Sequence, residues 1–289
     1  MSIALLPMLP MLPLHAQALP AAPASVKTLS WTDWADLALA SPAVIIATVD
    51  KAGKLSRRAA PDVPAGEVRA LIEAQLTAAM KAPTVLPARA EWLWQGASGP
   101  RGRPPLTKGA AIIVFAEPVP GSRDAAVQQY RLVQPHAMQP WSAAAETAVR
   151  AILVDAAKRE NSGLMVTAVT DGFYTAGTVE GRSESQFFLA TASGRPATLV
   201  VQRSPGAPPA VSLSTGEVID RATAVAPETL RWRALACGLP ASLPDPLGAS
   251  AELSADYAAV LQSLGRCGRT IGTPAQSLQI SIPTARASG

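Results

Sequence analysis

Histidine, cysteine and aromatic side chains are all scarce in this chain of 289 residues, and each scarcity removes a class of chemistry. There are two histidines, and His15 lies in an apolar stretch at the start, which leaves His136 alone in the remainder. A histidine-based metal centre needs several such ligands or many carboxylates in their place. The two cysteines, Cys237 and Cys267, have no second Cys or His at zinc-ligand spacing. Phosphate cradles of the G-x-x-x-x-G-K-[ST] and G-x-G-x-x-G types are missing. So are the G-x-S-x-G elbow and an S-x-x-K with its partner motifs. No cofactor and no metal are therefore expected.

Charge is also sparse. Charged residues make up 16% of the chain and aromatics 4%, so the core must be built from Ala, Val, Leu and Ile. The net charge of +4 is mildly basic. The densest basic stretch, Arg101, Arg103 and Lys108, sits in a Gly/Pro-rich loop without the aromatics that nucleic-acid binders interleave, so no nucleic-acid partner is expected. No run after the first residues reaches 18 apolar positions, so no transmembrane segment is expected either.

The N-terminus carries an export signature. Residues 3–14, IALLPMLPMLPL, are apolar but too short to span a bilayer as a helix. Ala16-Gln17-Ala18 follows with the small-x-small pattern of a signal-peptidase site. This reading makes residues 1–18 a signal peptide and places the protein in the periplasm or outside the cell. In such an oxidising compartment Cys237 and Cys267, 30 positions apart, are expected to form a disulfide.

The patterning predicts an α+β protein. Residues 28–135 read as a β-rich N-terminal domain, 136–271 as an α+β domain, and 272–289 as a flexible tail. Strands are expected at 43–52 (AVIIATVDKA), 91–95 (EWLWQ), 108–117 (KGAAIIVFAE) and 127–133 (VQQYRLV). Residues 66–81 fit a helical stripe through Val68, Leu71, Ile72, Leu76 and Met80. They fit strand alternation through Val68, Ala70, Ile72, Ala74 and Leu76 equally well. A helix follows over 141–160, with Ser142 as N-cap and Val149, Ile152 and Leu153 on its apolar face. A meander of five strands is then read at 164–170, 173–180, 185–191, 197–203 and 210–214, broken by turn signals that begin with Asp171-Gly172. Short helices at 229–237 and 251–264 close the chain.

The N-terminal order of strands, ending in Leu106-Thr107-Lys108-Gly109 before an apolar strand, resembles the OB-like domains of secreted bacterial proteins over residues 30–135. That resemblance implies a small β-barrel and no particular activity. The stretches SQFFLAT, GRPATLVVQR, GEVID and LACGLP are similar to segments of exported alphaproteobacterial proteins, which again implies export and a shared layout only.

Three sets of residues are left as site candidates. His136, between the two halves, is the one histidine that a hydrolase could use as base. Asp171, Glu180 and Glu184 lie near predicted strand ends, where two acids could share general acid/base work. Trp92 and Trp94, two apart on a predicted strand, share a face and could stack on a sugar or peptide, or simply fill a core. The leading expectation is a non-catalytic binding or accessory protein of the cell envelope, with an envelope protein, peptide or glycan as partner. The alternative is a periplasmic hydrolase using His136 or the Asp171/Glu180/Glu184 group.

Overall fold

The computed structural model describes residues 29–83, 85–121, 126–216 and 223–271. The signal-peptide and tail expectations lie outside the described residues. Helix α1 (Trp31–Ala40) leads into β1 (Ala43–Lys54), β2 (Glu67–Lys81), β3 (Arg89–Ala97), β4 (Ala111–Pro118), β5 (Val127–Leu132) and β6 (Met138–Pro140). Strands β1 to β5 close a barrel in the order β1-β2-β3-β5-β4 and back to β1. All its pairings are antiparallel except β3–β5. Strand β6 adds to β4 beyond β5.

Alternation decides the segment that two periods fitted. Val68, Ala70, Ile72 and Ala74 of β2 are buried while their neighbours are not, so 67–81 is a strand. With few aromatics available, the barrel interior is Ala, Val and Ile around Trp92 and Tyr130. Strands β1 and β4 are buried on both faces, which is why they read as unbroken apolar runs. Ile45, Ala47, Ile112 and Val114 face into the barrel, while Val44, Ile46, Ile113 and Phe115 face a second core under α1 and α2.

Helix α2 (Ala143–Ala157) is capped by Ser142, whose hydroxyl accepts the Ala145 N–H, and buries Val149 and Ile152 in that second core. Trp141, inside the predicted 141–160 span, lies before the helix and donates its indole N–H to Glu146. Next comes a five-stranded antiparallel sheet in the order β11-β10-β9-β8-β7. Its strands are β7 (Val166–Ala176), β8 (Ser183–Thr191), β9 (Ala197–Arg203), β10 (Ala210–Ser214) and β11 (Thr223–Ala224). Helices α3 (Leu230–Ala236) and α4 (Ala251–Leu264) cover one face through Leu235, Leu253, Tyr257 and Val260. Gly238, just after α3, is required there. A Cβ on it would stand 2.2 Å from the Val166 carbonyl oxygen.

The two predicted strands 164–170 and 173–180 are one strand, β7. Gly172 is not at positive φ, as a two-residue Asp-Gly turn would need. Instead the ladder skips a residue between Val169 and Asp171, and the Asp171 carboxylate accepts the Gly172 N–H at 2.8 Å. The Asp-Gly pair here makes a β-bulge and not a reversal.

Cys237 and Cys267 form a disulfide that ties the end of α3 to the segment after α4. That segment docks on α1. Thr32 donates to the Cys267 carbonyl at 2.6 Å, and the Asp33 carboxylate accepts from Thr270 and Ile271. Asp36 is bound by both Arg233 and Arg269. No helix among the described residues is long and apolar enough to cross a membrane.

Candidate functional site

His136 is exposed in the turn between β5 and β6. Its backbone carbonyl accepts from the Gln139 side chain, and no serine or acid is hydrogen-bonded to its imidazole among the described residues. Trp92 lies inside the barrel at 2% exposure, beside Tyr130 on the parallel strand. The Trp92 indole N–H and the Tyr130 hydroxyl are both buried without a hydrogen-bond partner among the described residues. Burial pushes the Tyr130 phenol up to about 12. Trp94 is half-buried on the same face, its ring so close over Gly96 that a Cβ there would meet it at 2.5 Å. Trp92 thus fills the barrel core, and Trp94 packs against it while staying partly exposed.

The three acids fall on the β7–β8 hairpin. Opposite residues in an antiparallel ladder share a face. The pairs Asp171–Phe188, Phe173–Gln186 and Thr175–Glu184 therefore lie together on the face away from α3 and α4. Asp171 and Glu184 are four ladder positions apart there, about 13 Å of backbone. That is more than the spacing at which two carboxyls share a glycosidic bond. Each acid also has a local task. Asp171 binds Gly172, and Glu184 accepts amide N–H groups from Gln186 at 2.6 Å and Gln202 at 2.9 Å. Glu180 is exposed in the turn. His136 and the three acids sit on different elements, the β5–β6 turn and the β7–β8 hairpin. Among the described residues no group of three His, Cys, Asp or Glu is placed to hold a metal.

The same hairpin carries a different kind of site. Strand β7 ends the sheet, so its outer backbone groups face no other strand among the described residues. Its first half is broken by skips near Thr167 and Thr170, whereas Asp171–Ala176 runs against Ser183–Phe188 without a break. Exposed edges are usually blunted by Pro, Lys or bulges. Residues 166–176 hold no Pro, Lys or Arg, and their one charge is Asp171. Phe173, Tyr174 and Val179 are 45%, 39% and 51% exposed, half of the large apolar side chains that stand out from the surface among the described residues. Phe173 leans on Phe188 with ring centroids 5.9 Å apart, on one face, and Tyr174 points to the other. Gly172 lets the strand approach its neighbour, because a Cβ there would meet the Gln186 carbonyl oxygen at 3.1 Å.

A second surface feature is a shallow groove of about 320 Å³ between the end of β2 and the loop to β3, lined by Leu76, Ala79, Ala82, Val85 and Leu86. It is apolar, and the one hydroxyl among its described lining residues, on Thr77, is committed to the Ile46 carbonyl. Among the described residues no polar groups converge there to orient a small substrate.

Reasoning from sequence did not single out Phe173, Tyr174 and Val179. The signal was present as a Phe-Tyr pair between β-formers with no basic gatekeeper, but it was masked by reading Asp171-Gly172 as a turn. Comparison with known proteins finds no matching family model and no matching curated relative.

Proposed function

We propose that this is an exported, non-catalytic binding or accessory protein of the cell envelope, and that it holds an extended polypeptide segment against the outer edge of β7. The observation that carries the reading is the unbroken, unprotected half of that strand, Asp171–Ala176, with Phe173 and Tyr174 exposed on its two faces. An added strand satisfies backbone N–H and C=O groups along such an edge, and the alternating aromatics select apolar side chains on the incoming chain. The Cys237–Cys267 disulfide supports an oxidising compartment. The strand circuit of the barrel, with β3 and β5 parallel, supports an OB-like reading of the first half.

The test is a photo-reactive phenylalanine analogue placed at position 173 in the full-length chain, expressed with its export route intact. The same analogue at Val154, an exposed site on α2, is the control. Adducts at 173 that contain a second polypeptide, absent at 154, are expected. Equal labelling at both sites, adducts to a protease-resistant glycan, or adducts to a second copy of this chain alone would overturn the reading.

A further inference from the structure

The two loops at one end of the barrel concentrate positive charge. Residues 54–66, the last residue of β1 with the loop to β2, and 98–110, joining β3 to β4, contain Lys54, Arg57, Arg58, Arg101, Arg103 and Lys108 against a single acid, Asp62. Their net charge of +5 exceeds the +4 of the whole chain, so the remainder is slightly negative. The loops are held side by side. Ser98 donates its N–H to the Gly66 carbonyl at 2.8 Å, and the Lys54 ammonium donates to the Gly102 carbonyl at 2.7 Å. Arg57 donates to the Val63 carbonyl. These carbonyls position the cations without neutralising them. The one acid is already taken, because Arg69 on β2 binds Asp62 through two N–H groups. None of the six cations pairs with a carboxylate among the described residues, and all six side chains belong to exposed residues. Arg101 stands at φ +58, in the left-handed region that glycine favours, followed by Gly102 at φ +64. The loop thus spends backbone strain at its tip on an arginine.

We propose that this rim docks the protein on an anionic phospholipid surface. The loops contain no Phe, Tyr or Trp on which bases or sugars could stack. The apolar groove beside β2 is lined by Leu76, Ala79, Ala82, Val85 and Leu86 and by no rim residue. A rim of exposed cations that no carboxylate neutralises among the described residues fits a continuous sheet of phosphate charge, which it meets through many weak contacts that salt screens. Such docking is reversible and leaves the barrel intact. It is independent of the β7 reading and survives that reading's failure.

The test is co-sedimentation of the full chain with vesicles of one part phosphatidylglycerol to two parts phosphatidylcholine, beside vesicles of phosphatidylcholine alone. The expected result is binding to the first, little to the second, and release by high salt. Replacing Arg58→Gln and Arg103→Gln together should lower the partition about thirtyfold, at about 1 kcal/mol per charge near the surface. Arg159→Gln with Arg182→Gln, which removes two exposed cations elsewhere, should lower it far less. All these side chains are exposed, and an unchanged Tm keeps loss of folding apart from loss of binding. Equal binding to neutral vesicles, equal losses from the two pairs of substitutions, or no binding at all would overturn the proposal. So would transfer of the protein from vesicles to single-stranded DNA of equal charge, which would make nucleic acid the partner.

Discussion

The Asp33 carboxylate at the start of α1 accepts the backbone N–H of Thr270 at 3.0 Å, although 237 positions separate the two residues. The same carboxylate accepts from the Thr270 hydroxyl at 2.6 Å, the Ile271 N–H at 3.2 Å, and the Ser30 N–H in a capping box. Burial pushes this acid up, but the hydrogen bonds from Thr270, Ser30 and Ile271 outweigh it and hold it below the usual carboxylate range. Its folded-state pKa lies below its unfolded one. The stability it contributes is therefore present above the unfolded value near 3.8 and lost as pH falls through the folded one. Asp33→Asn, which removes half of the acceptor capacity, should cost about 2 kcal/mol at neutral pH. Thermal unfolding followed from about pH 6 to about pH 2 should fall less steeply in the variant than in the wild type. Parallel profiles would show that Asp33 does not carry this dependence.

The disulfide holds the other side of the same junction. Opening it frees the 30-residue connection through α4 in the unfolded chain, worth about 3–4 kcal/mol in the chain-entropy account. Cys237→Ser with Cys267→Ser should lower stability by about that amount in urea unfolding, and a reductant should do the same to the wild type. The segment after α4 should also be cut earlier by protease, because the crosslink keeps Thr270 and Ile271 against α1. A loss below about 1 kcal/mol would mean that the hydrogen bonds to Asp33 and Asp36 suffice alone.

Much of the fold was legible where one physical signal dominated. Helix α4 occupies the predicted span 251–264 and buries the stripe Leu253, Tyr257, Val260 and Leu264, and β4 follows its apolar run. Helix α1 was not anticipated. Its Ser30 cap and acidic first turn are short signals, and Asp33 and Asp36 give its buried face a polar look that only Thr270, Arg233 and Arg269 explain. Those partners lie about two hundred residues away, and periodicity does not report such distances. The hairpin site was hidden for a local reason. Asp171-Gly172 serves turns and bulges alike, and the ladder with β8 chose the bulge. The pairing of Cys237 with Cys267 was legible because two cysteines allow one connectivity.

Tyr130 offers a test of the barrel interior. Its hydroxyl is buried and has no partner among the described residues, so it contributes desolvation cost without a compensating hydrogen bond. Tyr130→Phe keeps the ring against Trp92 and removes that cost. Stability in urea should stay level or rise by about 1 kcal/mol. At high pH the sign is also fixed. Burial raises this phenol from 10.0 to about 12, so its contribution is intact below pH 10 and lost as pH rises toward about 12. Tyr257, raised likewise to about 12 by burial, adds the same trend. The variant should therefore lose stability less steeply above pH 10 than the wild type. A destabilised Tyr130→Phe would reveal that the hydroxyl has a partner after all.

Phe173 tests the edge of β7 with the least disturbance to the fold. Its ring is 45% exposed and touches Phe188, so Phe173→Lys should cost about 1 kcal/mol or less of stability. A lysine there supplies the charge that edge strands use to refuse another strand. If an incoming segment pairs along Asp171–Ala176, the substitution removes an aromatic anchor and places a charge beside its backbone. Affinity should then fall by about thirtyfold or more, the loss typical of a central aromatic contact. Gly172→Ala is the contrasting change. Its Cβ would press on the Gln186 carbonyl and the Phe187 ring, so it should lower stability more than Phe173→Lys does. Measuring Tm and partner capture for both separates edge from fold. Capture lost in Phe173→Lys with Tm kept locates binding at the edge, and capture retained in a well-folded Phe173→Lys excludes this strand as the docking line.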